Sequence, residues 1–280
     1  MNERLTVQHI LDKKKKGEKI VMVTAYDYPF AGFLDQAGMD MILVGDSLAN
    51  VVLGLDSTRE VGMEVMLHHT KAVNRAVKKS LLIGDMPYES YQLDSRAAVK
   101  NAKRFVEEAG CGAVKLEWFE RCVEVTQEII KSGIPVMGHI GLTPQTADKL
   151  GGFVVQGKEA ESAKRIITQA RDLQKVGCFS IVLECIPDEI AAMITKELSI
   201  PTIGIGAGVY CDGQVLVLHD LLGLFDRFRP KFVKQYVDLR PVILDALARF
   251  REEVKGGQFP DRAHSFTIKK EQLDKLNPFL

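Results

Sequence analysis

Four acidic residues stand at the ends of short apolar runs in this sequence: Asp46, Asp85, Glu117 and Glu184. Apolar runs of this kind are typical of parallel strands that are buried on both faces. A buried carboxylate is costly unless it is paired, hydrogen-bonded or bound to a metal. Carboxylates repeated at strand ends therefore indicate the active site of an enzyme built on a parallel barrel.

Two of these carboxylates have the oxygen chemistry that Mg²⁺ prefers. Asp46, followed by Ser47, comes after the second apolar run, and Asp85 closes the third. Mg²⁺ is typically held by one or two carboxylates together with substrate oxygens and water, and no His/Cys cluster in the sequence competes for a softer metal. The alternative for each position is an N-cap for the helix that follows.

The tripeptide Lys115-Leu116-Glu117 places two opposite charges on one face of a strand, because side chains alternate along a strand. Inside a barrel, the two must pair with each other, with a metal or with substrate. A Schiff-base lysine needs a depressed pKa, which a nearby carboxylate opposes. We therefore interpret Lys115 as a fixed positive charge for an anionic substrate, with a structural ion pair as the alternative.

Two further patterns fall at predicted strand ends. His139 closes the fifth run and would point into the same mouth, although a lone histidine there is often a core residue. The string GIGAG (204–208) follows the seventh run, where barrel enzymes often bind anions. It lacks the context of a dinucleotide fingerprint, and close chain packing is its alternative. His68 and His69 lie within a helical pattern and are expected to be structural.

Eight apolar runs separated by helical patterns predict a (β/α)8 barrel. The predicted strands are 20–25, 41–45, 81–85, 113–117, 135–139, 180–184, 202–206 and 215–219. Gly110, Gly133 and Gly177 follow helical patterns, where left-handed helix caps are expected.

The organisation predicts one domain over 1–280, with 221–280 as a helical and extended C-terminal wrap. Residues 221–228 and 233–254 have helical patterns, and 256–280 should be extended with a late helical turn. Residues 208–212 leave room for only a very short helix between the last two strands.

Composition sets the class of protein. The 280 residues are 46% hydrophobic and 26% charged, which is ordinary for a soluble globular protein. Lys plus Arg equals Asp plus Glu at 37 each, so no charge bias favours nucleic acid or a membrane, and no run is long enough to span a bilayer. The basic run 13–16 is interpreted as a solvated helix end. Five scattered cysteines without a CxxC pair argue against a disulfide framework or structural zinc and favour a reducing cytoplasm.

Taken together, the segments resemble the ketopantoate hydroxymethyltransferase family over roughly residues 6–272. The segments that carry the resemblance, in this order and spacing, are VTAYDYPFA, VGDSLANVVLGLDST, GDMPYESY, AVKLEW, VMGHIGLTPQ, GGFVVQGK, VLECIP and GIGAGVYCDGQVLVLHDLLGL. The sequence departs from the family at 59–62, Arg-Glu-Val-Gly, where Leu-Pro-Val-Thr is more usual.

The resemblance implies a phosphoenolpyruvate/pyruvate-type TIM barrel with extra C-terminal helices. It implies transfer of a hydroxymethyl group from 5,10-methylenetetrahydrofolate, the co-substrate, to 3-methyl-2-oxobutanoate. The product would be 2-dehydropantoate, in the biosynthesis of pantothenate, a coenzyme A precursor. A homo-oligomer, typically a decamer, is implied as well.

The resemblance also implies roles for individual residues. Glu184 would be the general base that forms a Mg-stabilised enolate. One Mg²⁺ per subunit would bind Asp46 and Asp85, with Glu117 in or near its coordination sphere. The residues that would contact the oxo acid are Asp46, Ser47, Asp85, Lys115 and His139.

Two competing functions remain at this stage. A Mg-dependent oxo-acid lyase or mutase of the isocitrate lyase type shares the barrel and the metal chemistry. Enzymes of that type carry a flexible loop with a Lys-Lys-Cys-Gly-His type sequence, and the sequence has no such loop. A non-enzymatic binding barrel would be favoured by loss of a metal carboxylate, and none is lost.

Overall fold

Eight parallel strands close into a barrel in the order in which they follow along the chain. A computed structural model describes residues 4–279, with the side chains of Lys149 and 277–279 left out of the description. The strands are β1 (Ile20–Thr24), β2 (Met41–Val44), β3 (Leu81–Asp85), β4 (Ala113–Glu117), β5 (Val136–Gly141), β6 (Ser180–Glu184), β7 (Thr202–Ile205) and β8 (Gly213–Leu216). The predicted (β/α)8 barrel is confirmed.

Helices follow most of the strands. They are α1 (Val7–Lys16), α2 (Tyr28–Gln36), α3 (Leu48–Val51), α4 (Met63–Ala76), α5 (Ser95–Glu107), α6 (Cys122–Lys131), α7 (Ala160–Lys175), α8 (Asp188–Glu197), α9 (Leu218–Leu222), α10 (Arg240–Lys255) and α11 (Lys270–Leu273). In α5, Asp94 caps the first turn by accepting hydrogen bonds from the N–H groups of Arg96 and Ala97. Across the described residues, none of the helices is both long and apolar enough to cross a membrane.

The glycines expected to end helices do so. Gly110, Gly133 and Gly177 have φ values of 74°, 89° and 102°, the left-handed region that a residue with a Cβ rarely adopts. Each of them turns the chain from a helix toward the next strand, as the sequence predicts.

The barrel interior is filled by apolar side chains from all eight strands, among them Met22, Met41, Ile83, Met137, Val182 and Val215. Ile10 of α1 belongs to the same cluster. The Nζ of Lys13 lies 3.0 Å from Asp40 Oδ1, and the Nζ of Lys14 lies 2.7 Å from Asp212 Oδ2. Because both aspartates come just before strands, α1 covers the amino-terminal end of the barrel. The basic run is therefore only partly solvated, contrary to the sequence interpretation.

The eighth strand begins earlier than predicted. It covers Gly213–Leu216 instead of 215–219, and Leu218 already belongs to α9. Gly213 pairs with both Ile20 and Ile203, and a Cβ at this position would lie 2.5 Å from the carbonyl oxygen of Ile20. The strand therefore starts at a glycine that has no apolar signal of its own.

The chain divides into two compact units. The first runs to Leu221 and includes Phe225–Lys234; it contains the barrel. The second comprises Leu222–Leu224 and Gln235–Leu280, with α10 and α11. The predicted C-terminal wrap, and the treatment of 1–280 as one domain, stay predictions.

Part of the C-terminal helix prediction is wrong. Residues 223–239 contain no helix, although helices were expected over 221–228 and from 233. Gly223 has φ 68° and ends α9, while Pro241 stands in the first turn of α10, where proline is favoured. The late helical turn is confirmed by α11.

Candidate active site

Three carboxylates meet at the carboxyl ends of β2, β3 and β4. Asp46 follows β2, and Asp85 and Glu117 are the last residues of their strands. All three are buried. The backbone N–H of Asp46 donates a hydrogen bond of 3.2 Å to Asp85 Oδ2. The strand-end residues singled out in the sequence are therefore brought together at one barrel mouth.

Lys115 lies in β4 and forms a buried ion pair with Asp85. Its Nζ is 2.6 Å from Asp85 Oδ1. Burial disfavours the ammonium, but Asp85, Asp46 and Glu117 together outweigh it and raise the pKa of Lys115. A raised pKa favours the protonated amine, which supports the interpretation of Lys115 as a fixed positive charge over that of a Schiff-base nucleophile.

Gln145 is a central residue of the site that the sequence analysis missed. Its Nε2 donates to Asp46 Oδ2 at 2.8 Å, and its backbone N–H donates to Glu117 Oε2 at 3.0 Å. The hydroxyl of Tyr91 donates in turn to the side-chain oxygen of Gln145. This fully buried amide therefore orients two carboxylates at once. Its one sequence signal is its place two residues after a strand-end Gly-Leu-Thr, in the segment that follows His139.

Glu184 and His139 face each other across the neighbouring strands β6 and β5. His139 Nε2 lies 3.0 Å from Glu184 Oε2, and His139 Nδ1 lies 3.6 Å from Glu117 Oε1. Neither contact is aligned as a hydrogen bond, so both ring nitrogens and Glu117 Oε1 lack a hydrogen-bond partner among the described residues. Burial holds the pKa of His139 well below its usual range, so the ring is neutral.

Glu184 has the electrostatics of a general base. Burial raises its pKa to about 8, with Lys115 acting in the opposite direction. A carboxylate whose pKa lies near neutrality accepts a proton more readily than one in water. Raised carboxyl pKa values of this kind are typical of catalytic groups in clefts.

The backbone around Glu184 is fixed by close packing. Leu142 N–H donates to the carbonyl of Glu184 at 2.9 Å, and a Cβ at Gly141 would lie 2.3 Å from that same oxygen. The next residue, Cys185, has φ 47°, a left-handed conformation that is rare for a residue with a side chain. Strained backbone at a site of this kind is retained when the surrounding structure enforces it.

The carboxylate cluster has the chemistry of a hard-cation site. Burial, and then the charge of Asp85, raise the pKa of Asp46 to about 7, while burial raises that of Glu117 well above its usual value. Glu117 Oε1 is a buried acceptor without a partner among the described residues. A dication would relieve both features, so these residues fit Mg²⁺. Within the described part of the chain, no three His, Cys, Asp or Glu side chains are arranged to hold a metal ion by themselves. The ligands of Mg²⁺ would therefore be one or two carboxylates together with substrate oxygens and water.

The capping alternatives do not describe this site. Ser47 starts α3 but makes no side-chain cap hydrogen bond; its hydroxyl instead lies 2.8 Å from that of Tyr26. Both oxygens of Asp85 are engaged by Asp46 and Lys115. The structural interpretation of His69 is confirmed, because its Nδ1 lies 2.7 Å from the carbonyl oxygen of Tyr26.

One cavity of about 770 Å³ holds all of the predicted site residues. They are Asp46, Ser47, Asp85, Lys115, Glu117, His139 and Glu184. The GIGAG glycines are explained by close packing: a Cβ at Gly206 would lie 2.8 Å from the ring of Phe232, and one at Gly208 would lie 2.3 Å from the Cβ of Asp188. A phosphate-binding role for this loop stays a prediction.

Comparison with known proteins places this site in a family. The family model for ketopantoate hydroxymethyltransferase matches residues 4–262. A relative from Syntrophomonas wolfei subsp. wolfei, named 3-methyl-2-oxobutanoate hydroxymethyltransferase, is 55% identical over 273 residues, which cover 98% of this chain and 99% of the relative.

Solved structures of phosphonopyruvate hydrolase share the fold. One has a TM-score of 0.62 and covers 98% of this chain and 96% of its own. Another, a complex with oxalate and Mg²⁺, has a TM-score of 0.58 and covers 98% and 99%. At 12% identity, these two structures confirm the barrel fold and say nothing of the lyase or mutase chemistry. The match of sequence over nearly the whole length is what decides the assignment: the chain belongs to the ketopantoate hydroxymethyltransferase family.

Proposed function

We propose that this hydroxymethyltransferase takes its one-carbon unit from 5,10-methylenetetrahydrofolate and adds it to C3 of 3-methyl-2-oxobutanoate. With water supplying the hydroxyl oxygen and tetrahydrofolate released, the product would be 2-dehydropantoate, the precursor of pantothenate. The observation that carries the proposal is Glu184, whose side chain is only 14% exposed and whose pKa is raised to about 8, in one cavity with Lys115 and the cluster of three carboxylates. Those parts are what enolisation of an anionic oxo acid requires.

Asp46 and Asp85 would hold Mg²⁺, one ion per subunit, with Glu117 in or near its coordination sphere. When bound, the ion would supply a Lewis acid for the keto and carboxylate oxygens of the substrate. The raised pKa of Asp46 and the unpartnered oxygen of Glu117 support this assignment. The phosphonopyruvate hydrolase complex, with Mg²⁺ and oxalate in the same fold, supports it as well.

Lys115 would pair with the negative charge of the oxo acid and of the enolate. Its ammonium is already held by Asp85 at 2.6 Å, so little reorganisation is needed as charge develops on the substrate. Ser47, positioned by Tyr26, and the neutral His139 would complete the contacts to the oxo acid.

Glu184 would remove the C3 proton, which is acidic because it is adjacent to the carbonyl. The proton would pass to the Glu184 carboxylate, and the carbon would then be free to attack the one-carbon unit. A base must lie within hydrogen-bond reach of the proton that it takes, and Glu184 lines the same cavity as the anion-binding lysine. The tight packing of residues 141–142 against its backbone would keep it in place during turnover.

Assembly and location are further parts of the proposal. A homo-oligomer, typically a decamer in this family, is supported by α10, which exposes large apolar side chains: Val242, Ile243, Leu244, Leu247, Phe250 and Val254. All five cysteines are free and buried, which supports a reducing, cytoplasmic location. Partners other than the two substrates, such as nucleic acid or a membrane, are not expected from the even charge balance.

Proton exchange at C3 tests the proposal directly. NMR in D₂O would follow loss of the C3 proton of 3-methyl-2-oxobutanoate, with and without Mg²⁺ and with and without methylenetetrahydrofolate. We expect exchange that depends on Mg²⁺, and dehydropantoate once the folate is added. Folded protein that gives neither exchange nor product would refute the assignment, and exchange without product would refute the choice of donor.

A further inference from the structure

Asp220 is a carboxylate in the cavity to which the mechanism above gives no role. It lies in α9, just after β8, on the opposite side of the barrel mouth from β4 and Lys115. Its side chain makes no hydrogen bond or ion pair with any residue in the described part of the chain. Burial raises its pKa to about 6. Because an unpaired carboxylate in partly apolar surroundings is costly, its retention in a binding cavity points to a ligand that donates hydrogen bonds.

Aromatic side chains line the same cavity as Asp220. The rim segment (residues 225–232) follows it closely along the chain and lines the same cavity. Arg227 Nη1 donates to the carbonyl of Gly54 at 3.0 Å, while Phe232 packs beside Cys185, so the segment contacts the loops after both α3 and β6. The rings of Phe225, Phe228 and Phe232, together with that of Phe153 from beyond β5, give the cavity flat apolar walls.

The cavity is larger than its anionic end requires. Its volume of about 770 Å³ lies in the range of roughly 300–1,000 Å³ that takes a drug-sized ligand, whereas the oxo acid is a very small molecule. Phe228 and Phe153 are 66% and 70% exposed, so the part of the cavity that these rings line opens to solvent. Lys231, exposed at the same rim, makes no ion pair with another described residue.

We propose that Asp220 and the rim segment bind the reduced pterin of the one-carbon donor, with Asp220 accepting hydrogen bonds from the pterin 2-amino group and N3–H. These two donors lie side by side on one edge of the ring and match the two oxygens of a carboxylate. The phenyl rings would contact the faces of the heterocycle, and Lys231 would face the carboxylates of the glutamate tail. The inference rests on the proposed function, since it takes a tetrahydrofolate as the donor.

The test measures binding of tetrahydrofolate, which cannot react, and of its 2-desamino-2-methyl analogue. We expect Asp220→Asn to raise the Kd for tetrahydrofolate about 10- to 100-fold, the effect of a hydrogen bond to a charged group. Wild-type protein should lose a similar factor on moving to the analogue, and the variant should no longer distinguish the two. Mg²⁺-dependent exchange of the oxo acid C3 proton should be unchanged in Asp220→Asn. Glu189→Gln, an exposed acid on α8, is the matched control and should bind like wild type.

Each outcome bears on the inference separately from the function. Equal affinity of the wild-type protein for tetrahydrofolate and the analogue overturns it, and this arm does not depend on whether a variant folds. Unchanged tetrahydrofolate affinity in Asp220→Asn overturns the inference too. This holds even if the variant loses turnover, because Asp220 would then act in the chemistry and not in binding. If the wild-type protein neither exchanges the C3 proton nor forms product, the proposed function has failed instead.

Discussion

Replacing Glu184 by glutamine should slow catalysis strongly and at the same time stabilise the fold. Burial raises the pKa of this carboxyl from an ordinary value of 4.5 to about 8, so the folded state favours the neutral acid. The folded protein therefore carries no penalty below about pH 4.5, and it loses stability as the pH rises toward 8 and the buried group ionises. Glutamine has the same size and is neutral at every pH, so the variant escapes this loss.

The size of the effect follows from the two pKa values. At pH 7 the difference in free energy of unfolding between variant and wild type is roughly 3 kcal/mol. Each pH unit between 4.5 and about 8 adds about 1.4 kcal/mol to it. An increase of that size raises the melting temperature of a chain of this length by roughly 6–12 °C. Loss of the base should meanwhile slow C3 proton exchange by about 10²- to 10⁴-fold.

The assay compares the two proteins by thermal melting at pH 5 and pH 8, in chelator, because a bound cation would lower the pKa of Glu184. We expect the stability gap to widen from pH 5 to pH 8, while NMR exchange in Mg²⁺ shows the loss of activity. Glu189→Gln, which removes an exposed acid, should change neither quantity. A Glu184→Gln protein that is less stable than wild type at pH 8, or that exchanges the C3 proton at the wild-type rate, would refute the reasoning.

Three further predictions follow from the same geometry. Asp46→Asn should weaken Mg²⁺-dependent binding of the oxo acid. The affinity of the wild-type protein for the oxo acid should fall below pH 7, where Asp46 becomes protonated. Calorimetry that gives the same affinity at pH 6 and pH 8 would contradict this. Lys115→Met should raise the KM for the oxo acid and lower the free energy of unfolding by about 3–5 kcal/mol, because Asp85 is left buried without its cation. Urea unfolding measures the change in stability. A variant as stable as wild type would show that the fold does not require the ion pair between Lys115 and Asp85. Gly213→Ala should cost about 1–3 kcal/mol, since its Cβ would lie 2.5 Å from the carbonyl oxygen of Ile20; a thermal melt equal to wild type would show that the two strands can separate.

Much of the barrel could be predicted because its signals are local. Buried parallel strands are continuous apolar runs, and Gly110, Gly133 and Gly177 mark helix ends through their own backbone preference. The eighth strand was misplaced because Gly213 has meaning only beside Ile20 and Ile203, its partners in the barrel. The helix expected over 221–228 ends at Leu222 because apolar spacing alone does not outweigh a left-handed glycine at 223.

Some residues of the candidate site could likewise be predicted from the sequence and others could not. The charged strand-end residues could be predicted, because the carboxyl ends of all parallel strands in a barrel open on one mouth. Gln145 could not, since its hydrogen bond to Asp46 joins residues 99 positions apart and the sequence around this amide, in a 3-10 helix, does not point to that partner. Asp220 was missed for a related reason: it stands in a five-residue helix where an acid in the first turn looks like ordinary helix chemistry.

The amide of Gln145 also decides where a proton can reside in the cluster. Neither the backbone N–H nor the side-chain NH₂ of Gln145 titrates, so both groups are hydrogen-bond donors at every pH. The backbone N–H donates to Glu117 Oε2, and the side-chain NH₂ donates to Asp46 Oδ2. A proton on Glu117 must therefore sit on the other oxygen, Oε1, which is the one that faces His139 Nδ1 at 3.6 Å. The other nitrogen of that ring lies 3.0 Å from Glu184. Two carboxyl groups on separate strands thus lie against one imidazole, and the backbone N–H of Gln145 fixes which oxygen of Glu117 can carry a proton toward it.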